Sequence, residues 1–479
     1  MSATRVQGRD EASPDEPAAV SVVMGQPRNR EGSLTPAAAV VAGPAASSAD
    51  PASPAKEVPE YKVPRSRPLA DLFARFVVAF ARLYAAAFRE RWPLSALSPA
   101  PWFFGLRLLV RYDHVVEALS RPDVFEVPFG KEMARLNDGS VPGTDFLLGI
   151  DKPGEHDKQA RCLMARLELS EVAAFAKMSF DAAQTRLLKP RTGPFEAIHG
   201  LITAVPIDLC NRYFGLKVRA DDEPSFAAAS IELSGHLFGA PTNPPREAGS
   251  DERARIFPSK NLQEDKAGAY VRYFVDQAIG DAKTNAAPLG GSAPETLASK
   301  LRDLSHPQAR AILMGMIVGF VPTNTLAGGY ILDVLLSRRD AMKAAVDAAR
   351  TGDDDRLWQC LIEALRLRPI NLGPFRICKG GYRFDGTSIP DGKRVWVMTG
   401  SAMQDSGRID KASHFNPQRT ASSYLHFGFG MHWCIGAMLA RAQLTQTFKA
   451  LLLRGELARV SELGYRGTFP DSLMITIKE

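Results

Sequence analysis

Between Arg310 and Asp333 the sequence runs for 22 residues without a charge, AILMGMIVGFVPTNTLAGGYIL, and no other feature narrows the architecture as much. A stretch of that length can cross a bilayer as a helix. Its centre argues against that use, because Pro322, Thr323, Asn324 and Thr325 place a helix breaker and three polar side chains at the midpoint of a lone span. The composition suits a long helix buried in a water-soluble core and bent beside a ligand. A core that can enclose such a helix needs a large domain, and 479 residues with 45% hydrophobic content supply one.

The segments on either side fill in that domain. Residues 1–66 are rich in Ala, Pro, Ser and Gly and carry too few bulky apolar groups to offset the entropy of ordering, so a disordered leader is expected there and the folded domain from 67 to 479. The leader has neither the basic start nor the apolar core of a signal peptide, and its Asp10, Glu11, Asp15 and Glu16 are unlike an organelle transit sequence, so a cytoplasmic location is expected. In PLADLFARFVVAFARLYAAAFRERW, Arg75, Arg82 and Arg89 recur every seventh residue as a polar stripe on an apolar helix. Two readings stay open. The preferred one packs this helix on the domain; the other lays residues 69–92 on a membrane surface as a peripheral contact, with Phe73, Phe76, Phe80 and Phe88 in the acyl layer.

Residues 106–126 read as a strand, a turn and an amphipathic helix, and most segments from there to about 285 are helical. The Pro- and charge-rich stretch at 239–261 interrupts them and is expected to be a mobile loop or lid. After Asp340 comes the helix LWQCLIEALRLRP, then strands around FRIC, YRFDG and KRVWVMTG. The fold class is therefore mainly α with a minor β region. A formal charge of +6 without any run of five like charges gives no nucleic-acid arm. Five cysteines, odd in number and far apart, form neither a disulfide framework nor a zinc site.

One cysteine stands in special company. In HFGFGMHWCIGAMLARAQL, Phe427, Gly428, Gly430, His432, Cys434 and Gly436 surround a thiol just ahead of a helix. Taken alone, a lone cysteine is usually an inert buried thiol. These six positions, however, match F-G-x-G-x-[RH]-x-C-x-G, and at roughly 5% per residue type a chance match is on the order of one in 10⁸. The sequence resembles the cytochrome P-450 family of haem-thiolate enzymes. The resemblance implies that family's fold, a single large helical domain over about 105 to the C-terminus, with haem b between the central helix and the cysteine loop. It makes Cys434 the axial thiolate, Phe427 a shield for the sulfur and Gly428 a position of close backbone approach. It also makes His432, Arg376 and His156 the partners of the haem propionates. The Glu363/Arg366 pair matches the family's E-x-x-R, and Arg419 stands where the family supplies a second arginine to that glutamate. At His156 the match loosens, since the arginine expected four residues on is Ala160, with Arg161 one place later.

A larger departure lies in the central helix. Members that activate O₂ carry A-G-x-[DE]-T-[TS], and the corresponding residues are Gly319, Phe320, Val321, Pro322, Thr323 and Asn324. The acid is proline, which leaves Thr323 and Asn324 as the candidates for handling protons. Three functions are compatible with this. The first is a monooxygenase that inserts one oxygen atom from O₂ into a small apolar substrate such as a lipid, with electrons from a separate ferredoxin or reductase. The second is a peroxygenase or isomerase driven by a peroxide or lipid hydroperoxide, and the third a haem-binding sensor or carrier without turnover. The first is the expectation.

Overall fold

The uncharged run folds as the middle of one helix, His306–Ser337, and that helix organises everything around it. Ser305 and Gln308 close its first turn as a reciprocal capping box. Its 32 residues span about 48 Å. Pro322 lies inside the helix without ending it. The helix is apolar and long enough to cross a membrane, yet 83% of its most hydrophobic window is buried inside the protein. It is a core helix, as its polar centre implied.

The computed structural model describes residues 58–64, 68–89, 102–103, 105–137, 146–188, 193–238, 260–284 and 295–478. Contacts divide the chain into residues 1–56 and 57–479, and the first unit lies outside the described residues, as does most of the expected lid, 239–259. Within the second unit, contacts begin earlier than residue 67: Tyr61 is buried and packs its ring 5.4 Å from that of Tyr270.

Helices Glu223–Phe238 and Lys260–Thr284 pack on the central helix, while Val172–Leu187 packs on Ala437–Leu452, the helix that follows the cysteine loop. Their buried faces, including Phe175, Phe226, Phe274 and Phe448, join the central helix in one large hydrophobic cluster. The β region is small. Strands Trp102–Phe103, Leu106–Leu109, Arg394–Val397, Phe375–Cys378 and Phe125–Glu126 form one sheet in that spatial order. Only Leu106–Leu109 and Arg394–Val397 run parallel in it. This sheet carries Arg376, and the helix Tyr112–Ser120 that leaves it touches the cysteine loop. The first helix, Pro68–Arg89, packs on the same sheet through Ala81, Ala85, Val78, Tyr84 and Phe88, against Phe103 and Trp396. Phe88 thus faces protein, which removes it from the set of aromatic side chains expected to meet a membrane.

Candidate active site

Two left-handed glycines shape the cysteine loop, Gly428 at φ +77° and Gly430 at φ +68°. A Cβ at Gly430 would lie 2.7 Å from the Leu119 carbonyl oxygen, so position 430 demands glycine for both conformation and space. The loop closes on itself where the Cys434 N–H donates to the Phe427 carbonyl at 2.8 Å. Gly436 then caps the helix Ala437–Leu452. Phe427 is half-buried and stacks on Trp358, with ring centroids 6.2 Å apart. Cys434 is the one exposed cysteine; Cys210, Cys360 and Cys378 are buried and Cys162 is half-buried. The protein surrounding the Cys434 thiol pushes its pKa up, and the Gly436 N–H pulls the other way. A thiolate at this position therefore needs a cation to hold it, and a soft metal is what a single sulfur donor of this kind suits.

Beside the loop lies a set of buried polar groups with unfilled bonding capacity. Arg376 is 4% exposed, and its Nη1 donates to the Phe375 carbonyl at 2.9 Å. Among the described residues no carboxylate pairs with it. Burial pushes its pKa down to about 10, with the more distant Asp151 opposing. His156 is equally buried and neither ring nitrogen makes a hydrogen bond; the nearest carboxylate, Asp157, stands 3.5 Å from Nδ1. His432 sits edge-on to His156 with centroids 5.3 Å apart. Its Nε2 meets Asp151 Oδ1 at 3.0 Å, while Nδ1 has no partner. Burial lowers the His432 pKa and the bond to Asp151 raises it. Buried donors without acceptors are costly, so a guanidinium and two imidazoles left this way fit an anionic group such as the carboxylates of a haem. Arg161 is exposed on the same helix as His156 and takes no part.

On the central helix Gly319 is exposed, a Cβ there would meet nothing within 4 Å, and Thr323 one turn later is half-buried. The Thr323 hydroxyl donates to the Gly319 carbonyl. These residues give the helix one open patch. Asn324 does not share it: the residue is 2% exposed, and its Nδ2 donates to the Phe320 carbonyl at 2.9 Å. Asn324, expected with Thr323 to handle protons, stands about 100° round the helix from it. Thr325 is likewise buried, donating to the Val321 carbonyl and to Thr203 Oγ1. On the adjoining face lies a small, partly open pocket, walled by Met133, Phe146, Leu233, Leu237, Met314 and Val318, with Asn137 as its polar side chain. The wall is tight at one point, where a Cβ on Gly315 would fall 2.4 Å from the Phe146 ring.

Behind the cysteine loop, Glu363 and Arg366 are both fully buried. Arg366 Nε and Nη2 each reach a Glu363 oxygen at 2.8 Å. Arg419 Nε adds a bond at 3.1 Å, the Asn416 N–H one at 2.9 Å and the Tyr424 hydroxyl one at 3.2 Å. The remaining guanidinium donors go to the carbonyls of Met403, His414, Asp410 and Lys411. The expected Glu-Arg-Arg arrangement is present. Sequence reasoning missed Asn416 and Tyr424, and it missed Asp151, which fixes His432 from 281 residues away with no spacing signal to reveal it.

Comparisons with known proteins agree with this geometry. A family model described as Cytochrome P450 matches residues 357–462. Cytochrome P450 107B1 of Saccharopolyspora erythraea is 32% identical over 144 residues, 30% of this chain and 34% of that protein. The cytochrome P450 monooxygenase PikC of Streptomyces venezuelae is 29% identical over 361 residues, 72% of this chain and 77% of the relative. The ligand-free structure of cytochrome P450 TbtJ1 superimposes with a TM-score of 0.65 at 19% identity, over 83% of this chain and 97% of that one.

Proposed function

The chain belongs to the cytochrome P450 family, and from that premise we propose that it is a haem-thiolate monooxygenase acting on a small apolar substrate. Haem b would be held by Cys434 at the iron and by Arg376, His156 and His432 at the propionates, with Phe427 and Gly428 shaping the loop. When bound, that group supplies the electron transfer and oxygen chemistry that no side chain can perform. The net reaction converts a substrate C–H to C–OH with one atom of O₂, the other leaving as water with two protons and two electrons from a separate ferredoxin or reductase. The observation that carries this reading is Arg376, buried and without a carboxylate partner among the described residues, together with Cys434, the exposed cysteine of the glycine loop.

The residues have distinct tasks in it. Arg376 and the two histidines bind and orient an anion, and filling their unmet bonds recovers part of the cost of burying them. Thr323 Oγ1, already donating to the Gly319 carbonyl, keeps its lone pairs free to accept from a water, which it holds at the open patch. The apolar walls exclude bulk water and select an apolar substrate by shape. Purified Cys434→Ser protein should lose the thiolate-type absorption of the ferrous carbon monoxide complex, and survival of that band sinks the ligand assignment.

A second reading has its own support. With Pro322 in place of the acid and Asn324 turned to the Phe320 carbonyl, no carboxylate among the described residues is bonded to Thr323. A peroxide or hydroperoxide brings its own protons and electrons, so a peroxygenase tolerates that loss. Parallel turnover assays with reductase plus NAD(P)H and with hydrogen peroxide separate the two: product only with peroxide selects the second.

A further inference from the structure

The first helix is folded with its usual sides reversed. Its small residues Ala81 and Ala85 are buried against the sheet, while Leu69, Leu72, Phe73, Phe76, Phe80 and Leu83 remain 43–83% exposed. These six stand at i, i+3, i+4, i+7, i+11 and i+14, so they share an arc of about 100° over a length of about 21 Å. Single exposed leucines need no explanation, but a continuous apolar stripe marks a surface that something covers.

What covers it is indicated by the flank. Arg75 and Arg82 rise on one shoulder of the stripe, and among the described residues neither pairs with a carboxylate. Arg75 lies over the Tyr465 ring, 5.1 Å from its centroid. Both arginines are exposed. We propose that this helix lies along an anionic lipid bilayer, its Leu/Phe stripe in the acyl boundary and Arg75 and Arg82 at the level of the lipid phosphates. The stripe contains no polar atom with which to satisfy a protein partner's rim, and two copies meeting face to face would bring the same unpaired arginines together. A net charge of +6 adds attraction to an anionic surface.

Flotation of the full-length haem-loaded protein with phosphatidylcholine vesicles, and with vesicles also containing phosphatidylglycerol, tests this. Partition into the anionic vesicles is expected to exceed that into the neutral ones by ~10-fold and to fall with added salt. Replacing Phe73→Ser and Phe76→Ser together is expected to lower partition by ~10-fold or more, with the carbon monoxide difference spectrum and thermal midpoint retained. Arg75→Gln with Arg82→Gln should weaken binding to anionic vesicles only. The proposal is overturned by equal or absent flotation on both vesicle types, by a serine variant that floats like the parent, or by a concentration-dependent dimer that the serine variant abolishes.

Discussion

Two buried polar regions flank the cysteine loop, and they are built on opposite principles. Around Glu363 the hydrogen bonds are filled: two arginines, a tyrosine hydroxyl and a backbone N–H converge on one carboxylate, and the other guanidinium donors reach backbone carbonyls. Around Arg376, burial is as deep but the bonds stop short, leaving a guanidinium without a carboxylate and imidazole nitrogens without partners. A satisfied network holds shape and offers nothing to a ligand. An unsatisfied one reduces the stability of the chain by itself and recovers that cost when an anion arrives. The contrast separates scaffold from binding site without reference to any relative.

Breaking each region should therefore move stability in opposite directions. Glu363→Ala leaves Arg366 buried and unpaired, and a loss of about 3–5 kcal/mol is expected in urea unfolding, enough to prevent folding of a marginal domain. Arg376→Met removes a buried cation whose pKa burial pushes down to about 10. The haem-free variant should gain up to about 3 kcal/mol, and the haem-loaded variant should lose its haem on gel filtration; a destabilised haem-free protein would erase the contrast. Gly430→Ala, in the loop between the two regions, should cost about 2 kcal/mol through its φ of +68° and the nearby Leu119 carbonyl. The smallest effect is a matter of pH. His426 has its pKa pushed down to about 3 by burial, with Arg366 adding to the effect and a bond to the Ile362 backbone opposing it. Below pH 6.5 the unfolded chain takes up a proton that the folded chain refuses, so stability falls with acid until about pH 3, by about 1.4 kcal/mol at most per pH unit. His426→Asn should flatten the profile of the thermal midpoint between pH 6.5 and 5.5; an unchanged slope would mean that the ring is not kept neutral.

The two regions also differed in how much of them could be read in advance. Glu363, Arg366 and Cys434 sit in short local patterns, where helix spacing and turn chemistry fix the geometry within a few residues. Asp151 and Tyr424 act across long separations, and nothing in the spacing of residues 151 and 432 announces a contact. Asn324 shows a different limit: a helix separates sequence neighbours by about 100°, and nothing in the sequence announces that its amide turns to the Phe320 carbonyl. The first helix shows a third limit. Arg75, Arg82 and Arg89 revealed that it has two unlike faces, but periodicity does not say which face turns inward, and here Ala81 and Ala85 are buried against the sheet while Phe73 and Phe76 stay exposed and Phe80 only edges onto Phe103. The central helix was legible because a long apolar run with a polar centre has few places to go.

The contact between Phe146 and the backbone at Gly315 gives the cavity a one-way route for change under selection. Trimming the phenylalanine enlarges the chamber in a single substitution without touching the helix, whereas any side chain added at 315 must first evict the ring. Enlarging the pocket at this point thus takes one substitution, whereas filling it from position 315 takes two.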